Sequence, residues 1–326
     1  MNRIIARLVQ LTAATAFLLA GCSQHKESAH DGNGQPKTVI RYATSAGNLP
    51  INFGIKKGYF AAEGLDVKVV TVTGGVEAVT AAAAGEAELG GMGSPIIVGA
   101  AAGVPIKIIG SPPASGQHFI LVSRPQYKSL ADLKGKPISP GAPGQGTIQA
   151  FNVIARAKGL KLSDFQNVNA GSTGTALAAL QAGKVEAVIT TETTGVKAEL
   201  EGFGKVLERA ADYFGHYQHS FIFATNRFLQ EKPDAVRAFL RAYRTTVEYL
   251  KAHPDEAIQF AVTELQQDEK PYRAVYGKEI PTWDTSGRVD FEGTDNAIKI
   301  LKDLKEIDPK VQITAQQIVD ESYLPH

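Results

Sequence analysis

Cysteine is almost missing from this chain: among 326 residues it occurs once, at Cys22. Everything after that position is without a disulfide, a thiolate nucleophile or a cysteine-ligated metal. An excess of either charge is missing too. Lys and Arg number 34 against 33 Asp and Glu, a formal net charge of +1. That balance offers a polyanionic partner no basic face, which sets nucleic-acid binding aside. No G-x-x-x-x-G-K-[ST] phosphate loop and no G-x-S-x-G nucleophile elbow occurs. Gly141-Ala142-Pro143-Gly144-Gln145-Gly146 lacks the spacing of G-x-G-x-x-G. His216 and His219, even with His118, have no acid at a recognised zinc spacing. Histidines three apart in a loop entering a strand also point to opposite faces. The expectation is a chain with no cofactor, no metal and no catalytic residue, and so not an enzyme.

A long hydrophobic run is also lacking. The one apolar stretch, Leu8 to Leu19, falls short of the roughly 20 residues that span a bilayer. Arg3 and Arg7 supply a positive start, and the run ends in Leu19-Ala20-Gly21-Cys22, which resembles a bacterial lipobox. That resemblance implies a signal peptide over 1–21, cleavage before Cys22 and acylation of its thiol. The lipid would hold the protein at a membrane surface, each buried CH₂ contributing about 0.8 kcal/mol. Residues 22–37 (CSQHKESAHDGNGQPK) have almost no apolar side chain and read as a flexible tether, with His25 and His30 as solvated linker residues.

From Thr38 onward short β-rich runs alternate with helical stretches. Strands are expected at Val39–Thr44, Val67–Val72, Ala87–Gly91, Ile106–Ile109, His118–Ser123, Pro137–Ser139, Phe165–Asn169, Ala187–Thr190 and Ser220–Ala224. Helices are expected between them: Pro50–Glu63 closed by Gly64, Val76–Ala84 stopped by Gly85, Pro95–Ala102, Thr147–Lys158 and Thr175–Ala182. Ser129 and Asp132 have the spacing of a capping box. After Asn226 the chain is almost wholly helical, with Pro233 and Pro254 at first-turn positions and Asp234 and Asp255 beside them. The fold class expected is α/β, with two blocks of mostly parallel sheet. The domain division expected is 38–124 plus 219–326 for the first lobe and 125–218 for the second.

Several segments in order carry a family resemblance. Ile55-Lys56-Lys57-Gly58-Tyr59-Phe60 followed by Glu63-Gly64-Leu65-Asp66-Val67 resembles the opening A-x-x-x-G-x-F-x-x-x-G-L-x-V of the solute-binding proteins of nitrate, sulfonate, taurine and pyrimidine-precursor importers. Ala84-Gly85-Glu86-Ala87-Glu88-Leu89-Gly90 is similar to that family's A-G-x-x-D-x-G, and Asp132-Leu133-Lys134-Gly135-Lys136 to its D-L-K-G-K. Leu180-Gln181-Ala182-Gly183-Lys184-Val185-Glu186-Ala187 and the stretch Phe228 to Phe239 resemble two further family motifs. The resemblance implies a two-lobed type II periplasmic-binding-protein fold with a ligand cleft between the lobes, closing by hinge motion. It implies as partners a small-molecule solute and the permease and ATPase subunits of an ABC importer, with the protein itself monomeric and periplasmic or at the cell surface. A ligand-sensing lipoprotein is the alternative. So is a pyrimidine-synthase-like enzyme, but those relatives carry a cysteine-rich segment, which this chain lacks after Cys22.

In open parallel sheets, ligands sit beyond the carboxyl ends of strands, where helix N-termini point. The loops there are rich in Gly, Ser and Thr, residues that bring backbone N–H groups to a ligand and equally cap helices. The candidate contacts are Ser45, Asn48, Gly74, Gly75, Gly93 and Ser94 in the first block. Gln145, Thr147, Ser172, Thr173, Gly174, Thr191 and Glu192 are the candidates in the second, with His118 and His219 on the connections. Tyr217, Phe221 and Phe223 are expected in the core or the cleft wall. These loops hold no Arg or Lys, and Glu192 is their one charged side chain. A zwitterionic or heteroaromatic solute fits that set slightly better than a small inorganic anion.

Overall fold

The computed structural model describes residues 37–325, apart from 115 and 117. The signal peptide, Cys22 with its lipidation, and the tether as far as residue 36, including His25 and His30, lie outside the described residues.

Ten strands are described: β1 (Thr38–Thr44), β2 (Leu65–Thr71), β3 (Leu89–Met92), β4 (Ile106–Gly110), β5 (Phe119–Ser123), β6 (Pro137–Ser139), β7 (Gln166–Asn167), β8 (Ala187–Thr191), β9 (Lys205–Arg209) and β10 (Phe221–Thr225). They form two five-stranded sheets, ordered β2-β1-β3-β10-β4 and β7-β6-β8-β5-β9. Within the first sheet β1 runs parallel to β2 and β3, while β10 is antiparallel to both β3 and β4. In the second, β6 is parallel to β7 and β8, and β5 is antiparallel to β8 and β9. Each sheet thus gains one antiparallel strand from the chain that has crossed over. The chain crosses outward between β4 and β5 and back between β9 and β10.

Two expectations need correction. The strand Phe119–Ser123, read with the first block, pairs into the second sheet, because its antiparallel partners β8 and β9 are there. The single helix expected at Pro50–Glu63 is two, Leu49–Lys56 and Tyr59–Ala62. Gly58 breaks it with a φ of 78°, the left-handed region that only glycine enters readily. The capping box is present, with Ser129 and Asp132 bonding each other's backbone around Leu130–Leu133.

Both faces of the central strands are covered: Ile40 and Tyr42 on β1 pack in one cluster and Ala43 in another, and on β5 Ile120 and Val122 pack on one side and Leu121 on the other. Close sheet packing depends on glycine at one place in particular. A Cβ on Gly90 would stand 2.6 Å from the Phe223 ring and 2.8 Å from the Ala43 carbonyl oxygen. The C-terminal helix Pro233–Ala252 starts with proline at its first position and Asp234 in its first turn. Its Val236, Phe239, Leu240, Tyr243, Val247 and Leu250 recur at three- and four-residue spacing and are buried against the first sheet's layer. Each such side chain contributes about 1.5–3 kcal/mol by burial. That packing brings Tyr243, far along the chain, to the edge of the cleft described next.

Candidate functional site

A cavity of about 480 Å³ lies between the two sheets. Its walls are the loops after β1, β2, β3, β6 and β7, strand β8, the two crossings, and the starts of several helices. Helices Gly75–Ala83, Gly146–Ala157 and Thr173–Gln181 begin at lining residues, and Leu49–Lys56 begins right after the lining residue Asn48. Their unpaired first N–H groups make this a polar, N-terminus-rich enclosure.

Of the residues singled out from sequence, Ser45, Asn48, Gly74, Gly75, Gly93, His118, Gln145, Thr147, Ser172, Thr173, Thr191 and His219 line this cavity. Ser94, Gly174 and Glu192 do not. Ser94 is fully buried, and its hydroxyl donates to Gln149 Oε1. Glu192 turns outward and pairs with Arg209. Gly174 faces away, with only Ser172 Oγ within 4 Å of where its Cβ would be.

Several lining residues also serve their own helices. Asn48 accepts from the Ile51 N–H at 3.1 Å and donates to Thr44 Oγ1 at 2.9 Å. Ser172 accepts from the Thr175 N–H at 3.2 Å. Gln145 Oε1 holds the Ala142 N–H at 3.0 Å. Thr147 differs: it is buried, and its hydroxyl oxygen has no hydrogen-bond partner. A buried polar atom left alone is uncommon.

The residues missed from sequence are the cavity's apolar and aromatic walls: Tyr42, Val72, Met92, Phe119, Ile189, Ile222 and Tyr243. They sit on or beside strands or, for Tyr243, on a distant helix, where a sequence signals only core. The Tyr42 hydroxyl lies so close over Gly91 that a Cβ there would come within 2.1 Å. Gly93 plays the same part for His219, its Cβ position being 2.6 Å from Nε2. Both glycines make room for rings rather than for a left-handed backbone.

His219 is 3% exposed and lies on the return crossing. His118 and Phe119 are both 5.4 Å away edge-on, and Tyr217 is 6.2 Å away, stacked. Burial, helped by His118, pulls the His219 pKa down to about 3, so the imidazole is neutral. His118 is exposed to the cleft, yet surrounding protein also lowers its pKa, partly offset by a hydrogen bond with the Gly116 backbone. No Lys, Arg, Asp or Glu lines the cavity among the described residues. The enclosure therefore carries no formal charge at neutral pH.

The lobes also touch outside the cavity. Gln149, 1% exposed on the second lobe's helix Gly146–Ala157, accepts from Ser94 and donates from Nε2 to Glu306 Oε2 at 2.6 Å. Lys197 pairs with Asp268 across the same divide. Burial raises the Glu306 pKa, and the Gln149 bond lowers it in part.

The model of the family described as NMT1/THI5 like matches residues 47–257. The chain belongs to that family. It is 25% identical over 270 residues to a formylaminopyrimidine-binding protein of Halalkalibacterium halodurans, covering 81% of this chain and 79% of that one. It is 28% identical over 251 residues to a Bacillus subtilis (strain 168) protein named for binding aliphatic sulfonates, covering 75% and 74%. Among solved structures it is similar to the alkanesulfonate-binding protein SsuA of Xanthomonas axonopodis pv. citri bound to MOPS. That match has a TM-score of 0.71 at 17% identity and covers 87% of this chain and 98% of that one. The fold is thus that of the periplasmic binding proteins. The same fold carries a desulfurization enzyme, DszB, at a TM-score of 0.64 and 12% identity, so fold alone does not separate binder from catalyst.

Proposed function

We propose that this family member is the extracytoplasmic substrate-binding protein of an ABC importer. It captures a small polar organic solute, zwitterionic, heteroaromatic or sulfonate-like, in the interlobe cavity and hands it unaltered to a permease. The observation that carries the reading is the cavity itself: about 480 Å³, built by both lobes and both crossings, and lined by hydroxyls, glycines, rings and neutral imidazoles. A volume of that order suits a small organic molecule. The lining supplies hydrogen bonds and apolar contact but neither a carboxylate, a lysine nor a cysteine to move electrons or protons. The names of the relatives, a pyrimidine binder and sulfonate binders, point to the same class of solute.

In this reading the first lobe is β1–β4 with β10 and the C-terminal helices, the second is β5–β9, and the β4–β5 and β9–β10 crossings form the hinge. Cys22 carries the lipid, and the tether lets the lobes reach the permease. A melting-temperature screen of sulfonates, aromatic acids and aminopyrimidines tests the binding reading, since a ligand stabilises by RT ln(1 + [L]/Kd). A solute at 100 times its Kd adds about 2.7 kcal/mol. Conversion of a bound solute at more than one turnover per protein refutes the non-enzymatic part. Failure of every such solute to shift melting refutes the binding part.

A further inference from the structure

We infer that His219 is the residue that selects the ligand, and that it selects an uncharged hydrogen-bonding group, such as a carboxamide, a sulfonamide or a ring nitrogen, over a sulfonate or carboxylate. This rests on the binding reading above and narrows it.

The placement of the ring comes first. Gly93 from the first lobe and Gly146 from the second both press on it: a Cβ on Gly146 would stand 3.0 Å from Cε1, and one on Gly93 2.6 Å from Nε2. His219 is therefore fixed between the lobes at the cavity wall, with the rings of His118 and Phe119 beside it. Its Nδ1 is among the buried atoms without a hydrogen-bond partner among the described residues. Thr147, 8% exposed on the opposite lobe, leaves its hydroxyl oxygen in the same condition. Two unpartnered buried groups on one cavity are a vacancy in the hydrogen-bond pattern, and the occupant of the cavity is the available partner.

The chemistry of the vacancy follows from charge. A neutral imidazole offers one donor and one acceptor and no net charge. Among the described residues no cationic side chain lines the cavity. An anion entering here meets the partial positive charge of the helix N-termini but no full counter-charge among the described lining residues, and so regains less of its lost hydration. An uncharged donor–acceptor group loses far less hydration and matches the imidazole atom for atom.

Pairs of equal shape and different charge test this with the full-length protein: benzenesulfonate against benzenesulfonamide, and nicotinate against nicotinamide. Melting temperature screens the pairs and calorimetric titration gives the affinities. The uncharged member of a binding pair is expected to bind at least about tenfold more tightly. His219→Leu, which leaves the ligand group unmatched, is expected to weaken it about tenfold or more. His219→Gln keeps a neutral donor and acceptor and is expected to restore most of that loss. Thr147→Val, close in shape, is expected to cost about fivefold. Tighter binding of the anionic member, or unchanged binding by His219→Leu, overturns the assignment while leaving the binding-protein reading intact. If neither pair nor any solute of the wider screen binds, both fall together.

Discussion

If the lobes part at the hinge proposed above, the contacts of Gln149 break, and that makes its side chain a handle on closure. Its amide joins Ser94 on one side and Glu306 at 2.6 Å on the other, while the residue itself is almost wholly buried on the facing lobe. Gln149→Leu keeps the bulk of the side chain and removes both bonds. A neutral bond contributes about 1 kcal/mol and one to a charged group about 1.5–3 kcal/mol. Part of that is recovered where Glu306 meets water, since it is only half-buried. A net loss of about 2 kcal/mol from the closed arrangement is therefore expected, a factor of about 30 in the closed-to-open ratio. If the ligand binds only the closed arrangement, its apparent affinity falls in proportion to the closed fraction, by up to the same factor, without any ligand contact being touched. Ser94→Ala, losing one neutral bond, is expected to cost about fivefold. Calorimetric titration gives the affinity, and the radius of gyration of the ligand-free protein in solution gives the opening. Wild-type affinity and an unchanged radius in Gln149→Leu would mean that these bonds do not hold the lobes, and the reasoning fails.

Glu306→Gln probes the same junction through pH. Burial raises the Glu306 pKa above 4.5, so its contribution to stability is fully present below that value and is lost as pH rises through the raised pKa. The melting temperature of Glu306→Gln relative to wild type is expected to climb over that interval and level off above it; a pH-independent difference contradicts this. Gly90→Ala forces a Cβ against the Phe223 ring and the Ala43 carbonyl. It is expected to destabilise the first sheet by about 1–3 kcal/mol, read by urea denaturation; no loss would show that the strands yield there. Glu192→Gln is expected to leave ligand affinity within about twofold of wild type, because Glu192 pairs with Arg209 outside the cavity. A larger change would put Glu192 back among the ligand contacts. Cys22→Ser is expected to release the protein from membranes into the soluble fraction, and retention with no lipid mass at Cys22 would remove the anchor from the proposal.

What sequence conveyed, and what it did not, divides along physical lines. Strands such as Thr38–Thr44 and Ala187–Thr191 were legible because each is a run of β-branched and apolar residues bounded by turn formers. Strand β9 escaped notice: Lys205-Val206-Leu207-Glu208-Arg209 is a sheet edge, half-exposed and charged at both ends, so it lacks the apolar run. Helix Glu192–Leu200 was equally hidden, since Thr193, Thr194 and Gly195 are poor helix formers and its apolar residues make no clear stripe. The site shows the same division. Its position was legible because polar loops follow strand ends. Its partnerships were not, because Ser94 finds Gln149 and Gln149 finds Glu306 across 55 and 157 residues. The glycines join the two halves of this account. Gly93 and Gly146 read as loop residues that free backbone N–H groups or cap helices and Gly91 as a strand end, whereas each is small because Tyr42, His219 or Phe119 lies against it. They mark the cavity all the same: rings brought to the end of a strand or the start of a helix leave room beside them only where the backbone carries no side chain.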